Sequence, residues 1–125
     1  APAIDMTKNL MWDKFSTQEK KEISSKGFLE RYTEQYKSSY KITKALINDG
    51  KNYLILKDKI SLSIPIRIFH GVKDDAVPWN LSLDLMSCFS SSDIKVNFNK
   101  NGDHSLSSKS DLKNLGDTIM EIYNL

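Results

Sequence analysis

The sequence has few of the features that assign a protein to a specialised compartment. Its single cysteine, Cys88, cannot form a disulfide within the chain, so the cysteine content does not indicate an oxidising compartment. No run approaches the roughly 18 apolar residues of a membrane-spanning helix. The first residues, Ala-Pro-Ala-Ile-Asp, lack the basic start and the apolar stretch of a signal peptide. We therefore expect a cytoplasmic protein without a membrane span.

An excess of charge of one sign is also missing. The 18 basic and 16 acidic side chains give a net charge of +2, and no basic run is longer than Lys20-Lys21. Because a nucleic-acid surface needs basic residues clustered on one face, we expect no nucleic-acid partner. The length of 125 residues is sufficient for one ordinary domain and too short for two.

The first part of the chain, residues 1–60, is predicted to be helical or irregular. Ser16 and Glu19 have the spacing of a capping box, which predicts a helix that ends near Gly27. The apolar residues of 42–56 predict a longer helix. Between these segments, four aromatic residues recur at intervals of four and are expected to pack in the core or in a lid: Phe28, Tyr32, Tyr36 and Tyr40.

The second part, residues 61–125, alternates strands and helices. Strands are predicted at 64–69 and 94–98, and the strict alternation of the second indicates one buried and one solvated face near a sheet edge. A helix is predicted from Asn80 to Phe89, and a closing helix follows Ser108 as its N-cap. This order implies a right-handed crossover between two parallel strands and an α/β fold.

Chemically competent side chains follow both predicted strands. Asp74 and Asp75 come after the first strand, and Asp103 and His104 come after the second. Because parallel strands end at the same edge of a sheet, about 4.8 Å apart, a carboxylate in one loop can accept a hydrogen bond from an imidazole in the other. That pair is the orienting half of a Ser-His-Asp triad.

The stretch "HGVKDDAVP" resembles the acid turn of the α/β-hydrolases, and "GDHSL" resembles their histidine loop. The resemblance implies that Asp74 is the triad acid, that Asp75 occupies a variable position and that His104 is the general base. It implies the C-terminal part of an α/β-hydrolase fold, with a helical lid and connection over 1–60 and a βαβα unit over 61–125. The similarity is greatest to bacterial serine esterases akin to the mitochondrial palmitoyl-protein thioesterase and acyl-glucuronide esterase branch.

The nucleophile of that family is absent from the printed sequence. In this fold a G-x-S-x-G elbow precedes the acid and the histidine, and no such motif occurs here. We therefore expect the serine to lie about 20–30 residues before Ala1 in a complete parent enzyme, given ordinary element lengths. The 125-residue chain alone is then expected to be inactive.

The resemblance implies a serine hydrolase that cleaves a small ester or thioester, with no metal and no cofactor. Met11 and Trp12 are candidate residues of an acyl pocket under the lid. The expected partner of the chain is the N-terminal half of the hydrolase, or a second copy through self-association. The alternative is a non-catalytic remnant or a split-protein piece that acts in packing or binding.

Simpler interpretations remain open for each site residue. Asp74 and Asp75 also suit an ordinary turn, or a Mg²⁺ site if further carboxylates converge. His104 alone would suit a surface loop, and His70 is expected to pack or to bond locally. Asp103 is expected to shape the turn that carries the histidine.

Overall fold

A computed structural model describes residues 1–34 and 37–125, which form two compact units. One unit is Asp5–Leu54, and the other combines Ala1–Ile4 with Ile55–Leu125. The chain thus divides near residue 54. The division at residue 60 between a lid and a hydrolase core stays a prediction.

The unit Asp5–Leu54 begins with irregular helical turns. A π-helical turn, Thr7–Met11, leads into a 3₁₀ turn, Trp12–Lys14, and then into helix α1, Thr17–Lys26. The predicted capping box is confirmed, since Ser16 and Glu19 each bond the other's backbone N–H. The predicted end of the helix is confirmed as well, because Gly27 adopts the left-handed conformation with φ 84°.

A β-hairpin follows in a segment that was expected to be helical or irregular. Strands β1, Phe28–Thr33, and β2, Ser38–Thr43, pair in antiparallel register from Phe28↔Thr43 to Thr33↔Ser38. The expectation was wrong here, and the interval of four between the aromatic residues also places side chains on one face of a strand, whose period is two. Tyr36 lies outside the described residues. The predicted lid segment is therefore not wholly helical.

The helix predicted over 42–56 is much shorter than expected. Ile42 belongs to β2, and Thr43 caps helix α2, Lys44–Gly50, by accepting the N–H of Leu46. A 3₁₀ turn, Lys51–Tyr53, completes the segment. The hydrophobic core of this unit consists of Phe15, which precedes α1, and one side chain from each main element: Ile23, Leu29, Ile42 and Ile47.

The second unit has the predicted order of strand, helix, strand and helix. Its elements are β3, Ile66–Gly71, α3, Asn80–Cys88, β4, Ile94–Asn99, and α4, Lys109–Tyr123. The two strands are parallel, in register from Ile66↔Ile94 to Gly71↔Asn99. The βαβα prediction is thus confirmed, although β3 begins two residues later than expected.

The two helices of this unit lie on opposite faces of the strand pair. His70 of β3 bonds Ser82 of α3, whereas Arg67 bonds Glu121 of α4. Residues 67 and 70 are an odd number of positions apart, so their side chains point to opposite faces. The predicted cap of α4 is confirmed, since Ser108 and Asp111 form a capping box.

No helix among the described residues is long and apolar enough to cross a membrane.

Candidate active site

The loops that follow β3 and β4 bring one carboxylate and one imidazole together. The His104 Nδ1 atom lies 3.0 Å from Asp74 Oδ2 and 3.1 Å from Asp74 Oδ1. A carboxylate only accepts, so the contact places a proton on Nδ1 and leaves Nε2 as the basic nitrogen. The expected hydrogen-bond contact between these two residues is confirmed by this geometry.

Asp74 is enclosed by hydrogen-bond donors. Its side chain is fully buried, and Oδ1 accepts the backbone N–H groups of Ala76 and Val77, both at 2.9 Å. Burial raises the pKa of Asp74, whereas the Val77 N–H, the His104 imidazole and the Ala76 N–H lower it. The lowering contacts prevail, so the pKa lies below its ordinary value and the group is a carboxylate at neutral pH.

The neighbouring Asp75 occupies a different environment. It is exposed, while Asp74 is the residue that His104 contacts. The choice of Asp74 over Asp75 as the partner of the histidine is therefore confirmed. Its catalytic role stays a prediction.

Gly71, the last residue of β3, allows the two loops to approach each other. A Cβ atom there would lie 2.3 Å from the Asp103 carbonyl oxygen and 2.4 Å from that of Gly102. The same close approach lets the Lys73 N–H donate to the Gly102 carbonyl at 3.0 Å. Glycine is thus required for steric reasons, because any other side chain would push the histidine loop outward.

The histidine loop is held by its own side chains. Asp103 Oδ1 accepts the N–H groups of Ser105 and Leu106, each at 3.0 Å, so the prediction that Asp103 shapes this turn is confirmed. Leu106 adopts a left-handed backbone with φ 46°, which is uncommon for a residue other than glycine. The His104 side chain is 55% exposed beyond this turn.

His70 forms the buried support of the acid turn. It is fully buried, with Nδ1 2.6 Å from Ser82 Oγ and Nε2 2.9 Å from the Val77 carbonyl oxygen. The expectation that His70 bonds locally is confirmed. Sequence reasoning missed Ser82, although a serine between Leu81 and Leu83 on a helix that packs against a strand was a detectable signal.

Several curated proteins that are similar to this chain share one name. The chain is 34% identical over 106 residues to the bovine (Bos taurus) mitochondrial palmitoyl-protein thioesterase ABHD10, an alignment that covers 82% of this chain and 34% of the relative. The human (Homo sapiens) protein of the same name is 32% identical, with the same coverage. No family model matches the chain.

Two solved structures match almost the whole chain. A candidate hydrolase from Agrobacterium vitis S4 superposes with a TM-score of 0.89 at 26% identity, over 97% of this chain and 46% of that one. Mouse α/β-hydrolase domain-containing protein 10 superposes with a TM-score of 0.84 at 28% identity, over 98% of this chain and 49% of that one. The chain belongs to the α/β-hydrolase superfamily. It spans about a third of the length of the curated relatives it matches.

The curated relatives and the solved structures correct one expectation from the sequence and support two others. The cytoplasmic location expected from the sequence is wrong, because the curated relatives are mitochondrial proteins. The homology supports a hydrolase, as the motifs implied. The C-terminal hydrolase fold predicted from the acid turn and the histidine loop is confirmed.

The two candidate pocket residues lie in the unit Asp5–Leu54. Met11 and Trp12 pack against the core of that unit, and the Trp12 ring meets Phe15 edge-on at 6.4 Å. Trp12 also lines a cleft of about 320 Å³, together with Ile47 and Leu54. Core packing is sufficient to explain both side chains, and their acyl-pocket role stays a prediction.

The carboxylate does not have the surroundings of a cation ligand. Its Oδ1 atom accepts two backbone N–H groups and faces the His104 Nδ1 proton. Among residues 1–34 and 37–125, no three His, Cys, Asp or Glu side chains are grouped so that they could hold a metal ion. A donor-rich shell of this kind suits a carboxylate that orients an imidazole.

Proposed function

We propose that this chain supplies the acid and the base of a serine hydrolase. The observation that carries the proposal is the contact of His104 Nδ1 with both oxygens of the buried Asp74 carboxylate. In this proposal the serine comes from a part of the protein outside the 125 residues, because the printed sequence contains no G-x-S-x-G elbow.

The roles of the two residues follow from their hydrogen bonds. The serine hydroxyl gives its proton to His104 Nε2 as its oxygen attacks the carbonyl carbon of the substrate. His104 returns that proton to the leaving alcohol or thiol, and a water molecule then releases the acid by the same two proton transfers. Asp74 keeps Nδ1 protonated and stabilises the imidazolium while it exists, without taking the proton itself.

The substrate class in this proposal is an ester or a thioester with an acyl chain. It is supported by the names of the curated relatives, which are palmitoyl-protein thioesterases. Met11 and Trp12, which are partly buried against the core of the unit Asp5–Leu54, are the residues we propose for contact with the acyl chain.

The test is hydrolysis of a p-nitrophenyl ester and of an acyl thioester by the complete protein that carries this chain. We expect His104→Ala to lower kcat by a factor on the order of 1,000 or more. Asp74→Asn is expected to be comparably severe, because an amide can hold the wrong imidazole tautomer. Asp75→Asn is the matched control, since it removes the adjacent exposed carboxylate, and it should retain activity.

A second measurement tests whether the nucleophilic serine lies outside this chain. The 125-residue chain alone is expected to show no ester hydrolysis and no labelling by a serine-directed phosphonate, because a base and an acid without an oxyanion hole retain little catalysis. Labelling of one serine in this chain, or full activity of the His104→Ala protein, would contradict the proposal.

A non-catalytic binding module is the second candidate, and the surface of α4 favours it. This helix exposes a row of apolar side chains that an isolated domain normally buries: Leu112, Leu115, Ile119 and Met120, each 42–57% exposed. We propose that this face packs on the remainder of the hydrolase fold, or on a second copy when that remainder is absent. The complete protein distinguishes the candidates, since a module with no catalytic role hydrolyses neither substrate.

A further inference from the structure

We propose that His70 and Ser82 are positioning residues that hold the acid turn so that the Asp74 carboxylate faces His104. The inference rests on the proposed function, because it concerns Asp74 as the acid of that site. Neither residue touches the substrate in this proposal. Both act through the backbone of the turn.

The pair is buried, and each polar atom has a partner. His70 and Ser82 are both 0% exposed, and the two ring nitrogens of His70 contact the Ser82 hydroxyl and the Val77 carbonyl. A buried imidazole without such partners would destabilise the fold, so both contacts matter for the choice of these residue types. His70 thus links the end of β3 to α3 and to the acid turn.

The partners fix the position of the proton on His70. The Val77 carbonyl oxygen only accepts, so the proton lies on Nε2. The Ser82 hydroxyl, 2.6 Å from Nδ1, can then donate to that nitrogen. A neutral ring with its proton on Nε2 satisfies both contacts without placing a charge in the interior.

Val77 is consequently held at both of its backbone groups. Its N–H donates to Asp74 Oδ1 at 2.9 Å, and its carbonyl accepts from His70 Nε2 at 2.9 Å. The residue is 2% exposed, so no water competes for either group. The turn 74–77 is thereby tied back to β3, whose register with β4 includes His70↔Phe98.

The His70 Nε2 atom also approaches the carboxylate itself. It lies 3.6 Å from Asp74 Oδ2, which is too long for a hydrogen bond but places the ring directly against the carboxylate. Asp74 therefore lies between a buried imidazole that supports it and an exposed imidazole that it orients.

The test uses NMR of the complete protein that carries this chain, and of three variants of it. Imidazole ¹⁵N shifts report the tautomer of His70, and carboxyl ¹³C shifts report the titration of Asp74. His70→Leu removes the donor, His70→Gln keeps an amide N–H near the position of Nε2, and Ile68→Val alters a buried residue on the same face of β3 as the matched control.

We expect the wild-type His70 to be neutral, with its proton on Nε2. In His70→Leu the pKa of Asp74 should rise, because the Val77 N–H that lowers it is no longer held, and His70→Gln should restore part of the shift. Ile68→Val should change neither. If His70→Leu does not fold, Ser82→Ala gives a second test, because it removes the donor to His70 Nδ1, leaves that buried nitrogen unpaired and should therefore loosen the ring and raise the pKa of Asp74.

A proton on His70 Nδ1 would overturn the proposal, and so would an Asp74 titration that is the same in folded His70→Leu and in the wild type. In the complete protein, His70→Leu should lower kcat about 100-fold with little change in KM. Activity that needs Asp74 and His104 but ignores His70→Leu would refute the positioning role alone. Absence of hydrolysis by the wild type would refute the proposed function and leave the NMR result standing.

Discussion

Replacement of Gly71 by alanine should separate the acid turn from the histidine loop. The new Cβ atom would lie 2.3 Å from the Asp103 carbonyl oxygen and 2.5 Å from the Gly102 carbonyl carbon. Both are backbone atoms, so no rotamer change relieves the contact. The loop must instead move outward by about 1 Å to reach an ordinary carbon–oxygen separation.

That displacement acts on the two contacts nearest to it. The Lys73 N–H to Gly102 carbonyl bond, 3.0 Å, would lengthen, and so would the 3.0 Å contact between His104 and Asp74. Overpacking costs about 1–3 kcal/mol. A weakened hydrogen bond to a charged group adds an amount on the order of 1 kcal/mol. We expect Gly71→Ala to lower the free energy of unfolding by about 2–4 kcal/mol.

The assay is urea unfolding of Gly71→Ala beside Gly116→Ala. Gly116 lies within α4, and a Cβ atom there would meet nothing within 4 Å. Its replacement should therefore stabilise the helix by about 0.5–1 kcal/mol. In the complete protein, Gly71→Ala should lower kcat about 100-fold. Equal stability of the Gly71→Ala and Gly116→Ala chains would refute the steric argument.

Two further predictions concern pH and association. The pKa of Asp74 is lower in the folded state, so its stabilising contribution is fully present above the unfolded value of about 4 and is lost as the pH falls through the folded value. Urea unfolding between about pH 3 and pH 7 should therefore show a smaller acid-side loss of stability in Asp74→Asn than in the wild type. A slope that is unchanged by the substitution would mean that the carboxylate is not stabilised by folding. The 125-residue chain should self-associate in sedimentation experiments, because α4 exposes apolar side chains. Ile119→Lys, on this exposed face, should reduce the association more than the control Lys113→Glu. A wild-type chain that sediments as a monomer would contradict the expectation.

The elements that were predicted correctly are those whose sequence pattern is compatible with only one type of secondary structure. Two helix starts were marked by capping residues, Ser16 with Glu19 for α1 and Ser108 for α4. Side chains of this kind accept hydrogen bonds from the backbone N–H groups that lack a partner in the first turn of a helix. The alternation over 94–98 likewise predicted a strand. The two helix starts and the strand are confirmed, whereas the expected contrast between a buried and a solvated face is wrong, because Phe98 is 39% exposed and Asn97 and Asn99 are partly buried.

The hairpin was not predictable from the same reasoning. An interval of four residues is compatible with a helical face and with a strand face, so Phe28 and Tyr32 could not decide between them. The deciding interaction is the pairing of Phe28 with Thr43, residues that are distant in sequence. Pairing of that kind depends on tertiary context, which local patterns do not contain.

The site was predictable to the level of two residues and not beyond. Asp74 and His104 were placed by their positions after parallel strands, a topological argument that needs no side-chain detail. The supports of the pair involve a close approach at Gly71 and a buried contact between His70 and Ser82. These depend on distances of a few ångströms between separate elements, and residue order alone does not determine them.

The acid of the site is kept charged by its own turn and by His104 together. Burial raises the pKa of Asp74, whereas the Val77 N–H, the hydrogen bond of His104, the Ala76 N–H and the charge of His104 lower it. The two backbone N–H groups of the turn stabilise the carboxylate whatever the protonation state of His104. A neutral imidazole can rest beside it as a base, and the imidazolium that forms when Nε2 takes a proton finds a counter-charge already in position. The negative charge that stabilises the imidazolium is therefore in place before the reaction begins, and the hydrogen bonds of the acid turn help to hold it there.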